Sequence, residues 1–248
     1  DFSWPDIYSM AKDFGFSGIE IRGLGEDIFA VNARPFTDER LPKTLEKLQS
    51  LGLEIPCLAA GCALKYKEDF DKNISEIVQY IVLAKKLGTP YIRVLGDRYP
   101  QPEGEVDDAF VVDALKLLGV IAQGFNVCLL VETNGVYSDT KRLRELLDKV
   151  NMPSVAALWD MHHPYRYAGE SPRETVQNLG GLIKYVHVKD SVMVDGRPQY
   201  RMMGEGDLPI TEMLDALAAR VSVPIVASGG AGNMEHFAQL FTHPGIDA

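Results

Sequence analysis

Cysteine is scarce: Cys57, Cys62 and Cys128 are the only three in 248 residues. They form no zinc or redox spacing, and so sparse and odd a set points to a reducing compartment. Cys57 and Cys128 sit inside apolar runs and read as buried small hydrophobes. Long apolar runs are missing too; no stretch reaches the ~18 residues a bilayer span needs. The opening Asp1-Phe2-Ser3-Trp4-Pro5 is unlike a signal peptide, so the expected location is cytoplasmic. Positive charge is in deficit, with 25 Lys and Arg against 35 Asp and Glu and a net charge of -10. A uniformly basic surface is thereby excluded, and neither nucleic acid nor an anionic membrane is an expected partner. With 46% hydrophobic and 24% charged residues, disorder, collagen and coiled coil are excluded as overall classes.

What is present is alternation. Short apolar, β-rich runs recur at 18–22, 55–59, 91–95, 127–133, 155–160, 185–189 and 223–227. Their near-continuous apolar character is that of parallel strands buried on both faces. Amphipathic stretches lie between them, at 38–51, 72–87, 106–124, 139–149, 172–183 and 210–220. Strand alternating with helix predicts a parallel sheet. A (β/α)8 barrel takes roughly 250 residues, so 1–248 is expected to be a single α/β TIM-barrel domain. An open doubly wound sheet would more often carry a Gly-rich phosphate loop after its first strand, and none is seen there. The ends are unusual. The chain opens on a helix, about 4–14, and closes on a helix, about 233–242, followed by the strand-like stub Gly245-Ile246-Asp247-Ala248. The order is therefore that of a permuted barrel. If it stays open, its exposed edge favours association, so a homo-oligomer is a further expectation.

In a parallel barrel the active site lies at the C-terminal ends of the strands. Glu132 ends one apolar run, Asp160 ends the next, and His187 and Lys189 lie on the one after that. Oxygen and nitrogen donors of this kind suit Mn, Mg, Co or Zn and do not choose among them. An ion held by Glu132, Asp160 and His187 would keep positions open for substrate oxygens. It would polarise a carbonyl and stabilise the enediolate left when a neighbouring proton departs. His163, three residues past Asp160, can hang over the same site. Taken singly, Glu132 or Asp160 reads as a helix cap and His187 as a core histidine; on three consecutive strands they read as one site. Lys189 could make a structural ion pair or hold a substrate phosphate or hydroxyl. Glu20 and Arg22 alternate with Ile19 and Ile21, so they either pair with neighbours or touch substrate; Arg93 is similar. Trp159 reads as core, and Trp4 either walls a sugar site or packs on the surface.

Several segments resemble the sugar phosphate isomerase/epimerase family, the xylose-isomerase-like barrels. They are Gly15-Phe16-Ser17-Gly18-Ile19-Glu20-Ile21-Arg22, Leu87-Gly88-Thr89-Pro90-Tyr91-Ile92-Arg93-Val94, Val131-Glu132-Thr133-Asn134-Gly135, Trp159-Asp160-Met161-His162-His163-Pro164 and Val186-His187-Val188-Lys189-Asp190. The loop Tyr200-Arg201-Met202-Met203-Gly204-Glu205-Gly206-Asp207-Leu208-Pro209-Ile210 is similar to the one that follows in that family. The resemblance covers about 5–217. It implies metal ligation by Glu132, Asp160 and His187, with His163, Lys189 and Arg201 near the substrate.

The C-terminus departs from this pattern. The family's last strand normally ends in a second catalytic glutamate, whereas here Val223-Pro224-Ile225-Val226-Ala227 runs into Ser228-Gly229-Gly230-Ala231-Gly232. About 218–248 resembles instead the cyclase subunit of imidazole glycerol phosphate synthase. That resemblance implies phosphate binding by Ser228, Gly229, Gly230 and Gly232, where backbone N–H groups and a helix N-terminus attract anions. A tight packing turn explains the same glycines. The expectation is a composite chain joined near 217–222.

The function expected is a metal-dependent isomerase or epimerase of a small sugar or sugar phosphate. Proton transfer occurs next to a carbonyl, with Glu132 doubling as base. Glu205 and Glu235 could replace the missing glutamate only if their loops fold inward. The alternatives are a recombined or engineered scaffold that keeps metal or phosphate binding without native catalysis, and an inosose-type dehydratase.

Overall fold

A computed structural model describes residues 2–218 and 225–227. The chain divides into two compact units. The first holds 1–98, 105–131 and 146–156; the second holds 99–104, 132–145 and 157–248.

The first unit opens with helix α1 (Trp4–Asp13), started by Ser3 and Asp6 in a reciprocal capping box with Pro5 in the first turn. Helix α2 (Leu41–Leu51) and strand β1 (Cys57–Ala63) follow. Then come helix α3 (Phe70–Leu87), strand β2 (Tyr91–Leu95), helix α4 (Asp108–Gly124) and strand β3 (Cys128–Glu132). β1, β2 and β3 pair in parallel, with Leu58 opposite Ile92 and Ile92 opposite Leu129. These residues are fully buried, as are Ile77 and Ile81 of α3 and Leu115 and Leu118 of α4, which make the core of this unit.

The strand expected at 18–22 is reduced to isolated parallel bridges, Gly18 to Glu54 and Ile21 to Leu58. Composition explains the gap. Glu54 N donates to Ser17 O, and Ala59 N donates to Ile21 O. The donor that belongs between them is at position 56, a proline without an N–H.

The second unit continues with helix α5 (Thr140–Val150), whose start it holds, and with strand β4 (Val155–Asp160), whose end it holds. Helix α6 (Pro172–Leu179) has a second capping box, Ser171 with Glu174. It stops short of the expected 183, because Gly180 and Gly181 give way to a 3-10 turn over Gly180–Leu182. Strand β5 (Ile183–Val188) pairs in parallel with β4 and with strand β8 (Ile225–Ala227).

Between them, strands β6 (Asp190–Val194) and β7 (Arg197–Arg201) form an antiparallel hairpin, which takes in the first two residues, Tyr200 and Arg201, of the segment expected to be a loop. Its turn has both central residues at positive φ, Asp195 at 50° and Gly196 at 75°. That is the Asp-Gly pattern of a tight hairpin. Helix α7 (Ile210–Ala218) packs against α6. Among the described residues no helix is long and apolar enough to cross a membrane.

Candidate metal centre

The strand ends that carry the predicted chemistry fall in the second unit. Glu132 closes β3, Asp160 closes β4, and His187 is next to last in β5. Parallel pairing sets Asp160 opposite His187. Thr133 locks the ends of β3 and β4 together. Its amide donates to Leu158 O at 3.0 Å, its hydroxyl donates to Asp160 O at 3.1 Å, and its Oγ1 accepts from Asp160 N at 2.9 Å.

Glu132, Asp160 and His187 are buried, and one donor atom from each lies within 4.8 Å of one from each of the others. His187 Nδ1 is 3.3 Å from Glu132 Oε1. Two ligands held at ~2.1 Å around a tetrahedral ion stand ~3.4 Å apart, so this spacing fits a cation held between them. Two carboxylates and one imidazole are a donor set for a divalent ion, and three protein ligands leave a position open for substrate.

Lys189 and His163 stand beside this trio. Lys189 Nζ is 2.6 Å from Asp160 Oδ2 and 3.0 Å from His163 Nε2. Burial is the largest influence on both members of the Lys189–Asp160 pair and opposes their charges. It is outweighed for Asp160 by the groups around it, the Lys189 ammonium among them, which hold its carboxyl below the usual range. For Lys189 it is outweighed by Asp160 and Glu132, which push the ammonium up. The pair is therefore ionic.

Burial wins for His163, whose pKa is lowered despite the pull of Asp160. The neutral tautomer follows from its partners. Nδ1 lies 3.0 Å from the carbonyl of Thr133 and carries the proton, so Nε2 offers its lone pair to Lys189.

Other residues of this neighbourhood carry no signal of a role in the sequence alone. His162 is fully buried, and burial, with Lys189 adding to it, takes its pKa down to about 3. Its Nε2 lies 3.0 Å from Ser191 Oγ. Arg166 donates to the Ser191 hydroxyl at 3.0 Å and carbonyl at 2.6 Å and pairs with Asp207. The Tyr200 ring lies 5.5 Å from the His162 ring and 5.8 Å from Lys189 Nζ. His162 is visible in the Asp160–His163 segment; Tyr200 and Ser191 reach the site only because the hairpin folds.

The remaining candidates are distributed as follows. Arg201 donates to Tyr200 O at 3.0 Å and Gln199 Oε1 at 3.1 Å, bonds within its own hairpin. Glu205 is exposed. Glu20, half-buried, and Arg22, exposed, belong to the first unit, as does buried Arg93, which donates to Ala60 O at 3.0 Å. Trp159 is 1% exposed and belongs to the core. Trp4 packs edge-on against Tyr8 and Phe36. Ser228, Gly229, Gly230, Gly232 and Glu235 lie outside the described residues.

The family model for xylose isomerase-like TIM barrels matches residues 9–226. The chain belongs to that family. Its (β/α)8 barrel fold is shared with solved structures. The probable 3-DHS dehydratase AsbF of Bacillus anthracis is 19% identical with a TM-score of 0.80, covering 98% of this chain and 95% of that one. A D-tagatose 3-epimerase-like protein is 16% identical with a TM-score of 0.75, covering 97% and 92%. The IOLI protein with a binding zinc atom is 18% identical with a TM-score of 0.75, covering 98% and 92%. Structures of this barrel type thus include epimerase-like and dehydratase proteins and a metal-bound one. A separate match joins 37 residues, 15% of this chain, to the imidazole glycerol phosphate synthase subunit HisF of Shewanella loihica at 51% identity. The chain spans only 14% of that relative's length. Resemblance to two barrel families within one chain agrees with the composite expectation.

Proposed function

We propose that this chain binds a divalent cation through Glu132, Asp160 and His187 and moves a proton next to the carbonyl of a small sugar or sugar phosphate, as an isomerase or epimerase. The observation that carries the reading is the convergence of those three buried donors in a member of this barrel family. The ion, Mn, Mg, Co or Zn, supplies Lewis-acid polarisation of substrate oxygens.

The chain's own groups supply the rest. A Glu132 carboxylate oxygen takes the proton from the carbon beside the carbonyl and delivers it to the former carbonyl carbon while a hydroxyl proton passes between the two substrate oxygens, which isomerises the sugar; return to the original carbon epimerises it only on the opposite face. Atoms balance and no oxidant is needed. Lys189 donates to substrate oxygens and holds Asp160 ionised. Neutral His163, fixed through Nδ1 on Thr133 O, presents Nε2 at the same place. Arg201 swings from its hairpin toward an anionic substrate group, and Ser228, Gly229, Gly230 and Gly232 bind a phosphate. The likeness to the probable 3-DHS dehydratase AsbF keeps dehydration beside isomerisation, since both begin with the same proton removal.

A second reading has its own observation. The apolar run 223–227 ends without a carboxylate, and a 37-residue stretch matches HisF. A recombined or engineered scaffold would keep ion binding and lack turnover.

Equilibrium dialysis against Mn2+ tests the site. Glu132→Ala and His187→Ala should each lose uptake, and uptake unchanged in both discards it. Incubating the loaded protein with ketose and aldose phosphates in D2O tests the chemistry. Deuterium entering beside the carbonyl supports the enzyme; ion uptake without exchange supports the scaffold.

A further inference from the structure

A second trio adjoins the first. Asp160, His162 and His163 also bring one donor atom each within 4.8 Å of one another, and all three are buried. The proton transfer above makes no use of it as a cation site. His162 is 0% exposed, and its Nδ1 is buried with no hydrogen-bond partner among the described residues. An unsatisfied buried ring nitrogen is costly, and a ligand would relieve it. Two imidazoles and a carboxylate suit Zn2+ or Co2+. What stands in the way is Lys189. Its ammonium lies 2.6 Å from Asp160 Oδ2 and 3.0 Å from His163 Nε2, against two of the three residues. An ion seated ~2.1 Å from those same atoms would meet the ammonium at close range and be repelled by it.

We propose that the Lys189 ammonium is a resident cation that keeps the Asp160–His162–His163 trio closed to a second divalent ion, so that the centre takes one ion and loss of the ammonium opens a latent second site. This rests on the first trio being an ion site, and the experiment separates the two failures. A fixed organic cation neutralises Asp160 whatever the metal supply, and it leaves the donors beyond it for substrate. Lys189 is thus a positioning residue as well as a candidate substrate contact.

Zn2+ stoichiometry after equilibrium dialysis is the readout, with folding followed by circular dichroism. The wild type should retain about one tightly held ion per chain and Lys189→Met about two. Lys189→Arg, which keeps the charge, should stay at about one, and Lys189→Met combined with His162→Ala should return to about one. If Lys189→Met does not fold, Lys189→Gln takes its place. A folded, uncharged variant that still holds only one ion overturns the latent site and leaves the first trio standing. So does a wild type that already binds two. A wild type that binds none overturns the first trio and this proposal together.

Discussion

A lysine and an aspartate meet at 2.6 Å in each compact unit. In the first, Lys65, just after β1, pairs with Asp97, just after β2; in the second, Lys189 pairs with Asp160. Both aspartates are fully buried. The settings differ. Lys65 has the ring of Tyr66 beneath it at 5.4 Å, and Asp97 accepts the amide of Arg98 at 2.7 Å. Around Asp160 stand His162, His163, His187 and Glu132, and among the described residues the only groups able to surround a metal ion include Asp160. A buried ion pair at a strand end does not by itself mark a functional site. What marks one is more donors than the pair itself can satisfy.

Cutting the first pair is expected to have the largest effect. Lys65→Met takes the ammonium away from buried Asp97 and should cost about 3–5 kcal/mol in urea unfolding, with Zn2+ uptake by the folded protein unchanged. Lost uptake would break the distinction between the two pairs.

The histidine part of the acid response should come from the second unit, because the first contains no histidine. The His162 pKa is about 3 in the folded chain, against an ordinary value of 6.5. Above pH 6.5 both states are neutral. As pH falls from 6.5 toward about 3, the unfolded chain takes up a proton that the folded ring refuses, so the contribution of His162 to stability is lost across that window. The loss for metal-free protein should be about 2 kcal/mol by pH 5. Melting temperatures of wild type and His162→Gln at pH 7 and pH 5 measure it, and equal pH slopes would contradict it.

A smaller effect is expected at Gly206. Asp190 accepts the amides of Gly204 and Gly206 at 2.9 Å and so ties the following loop to the hairpin. A Cβ at position 206 would run into the Asp190 carboxylate and come within 2.6 Å of Ser191 O. Gly206→Ala should lower stability by about 1–3 kcal/mol and weaken Zn2+ binding through the displaced hairpin. A neutral substitution would remove the hairpin from any part in shaping the site.

The smallest effect is at Cys62, where burial is the main cause that pushes the thiol up to about 12. It should stay unmodified by iodoacetamide at pH 8 while half-buried Cys128 reacts first, as peptide mapping would reveal. Rapid alkylation of Cys62 would mean that the first unit opens readily.

The legible parts of the fold are those whose apolar pattern is uninterrupted. The runs at 91–95 and 155–160 coincide with β2 and β4. The polar residues ending consecutive runs do converge, because parallel strands point the same way. Segment 18–22 misleads because its pattern is that of a strand while Pro56, far along the chain, removes the hydrogen bond that would complete it. The hairpin escapes a pattern reading although Asp195-Gly196 signals its turn. Arg197-Pro198-Gln199-Tyr200-Arg201 is polar, with no apolar alternation to announce a strand.

By itself the sequence determined the alternation of strand and helix, the barrel family and the identity of the donors at 132, 160 and 187. The alternation and the donors follow from hydrophobic period and from the chemistry of single side chains, which are local properties; the family follows from likeness to known proteins. Tertiary structure decided the charge and tautomer of each group: that Lys189 neutralises Asp160, that His163 is a neutral acceptor toward Lys189, and that His162 is starved of a partner. Burial and the distance to a neighbour set those states, and neither is written at any one position of the chain.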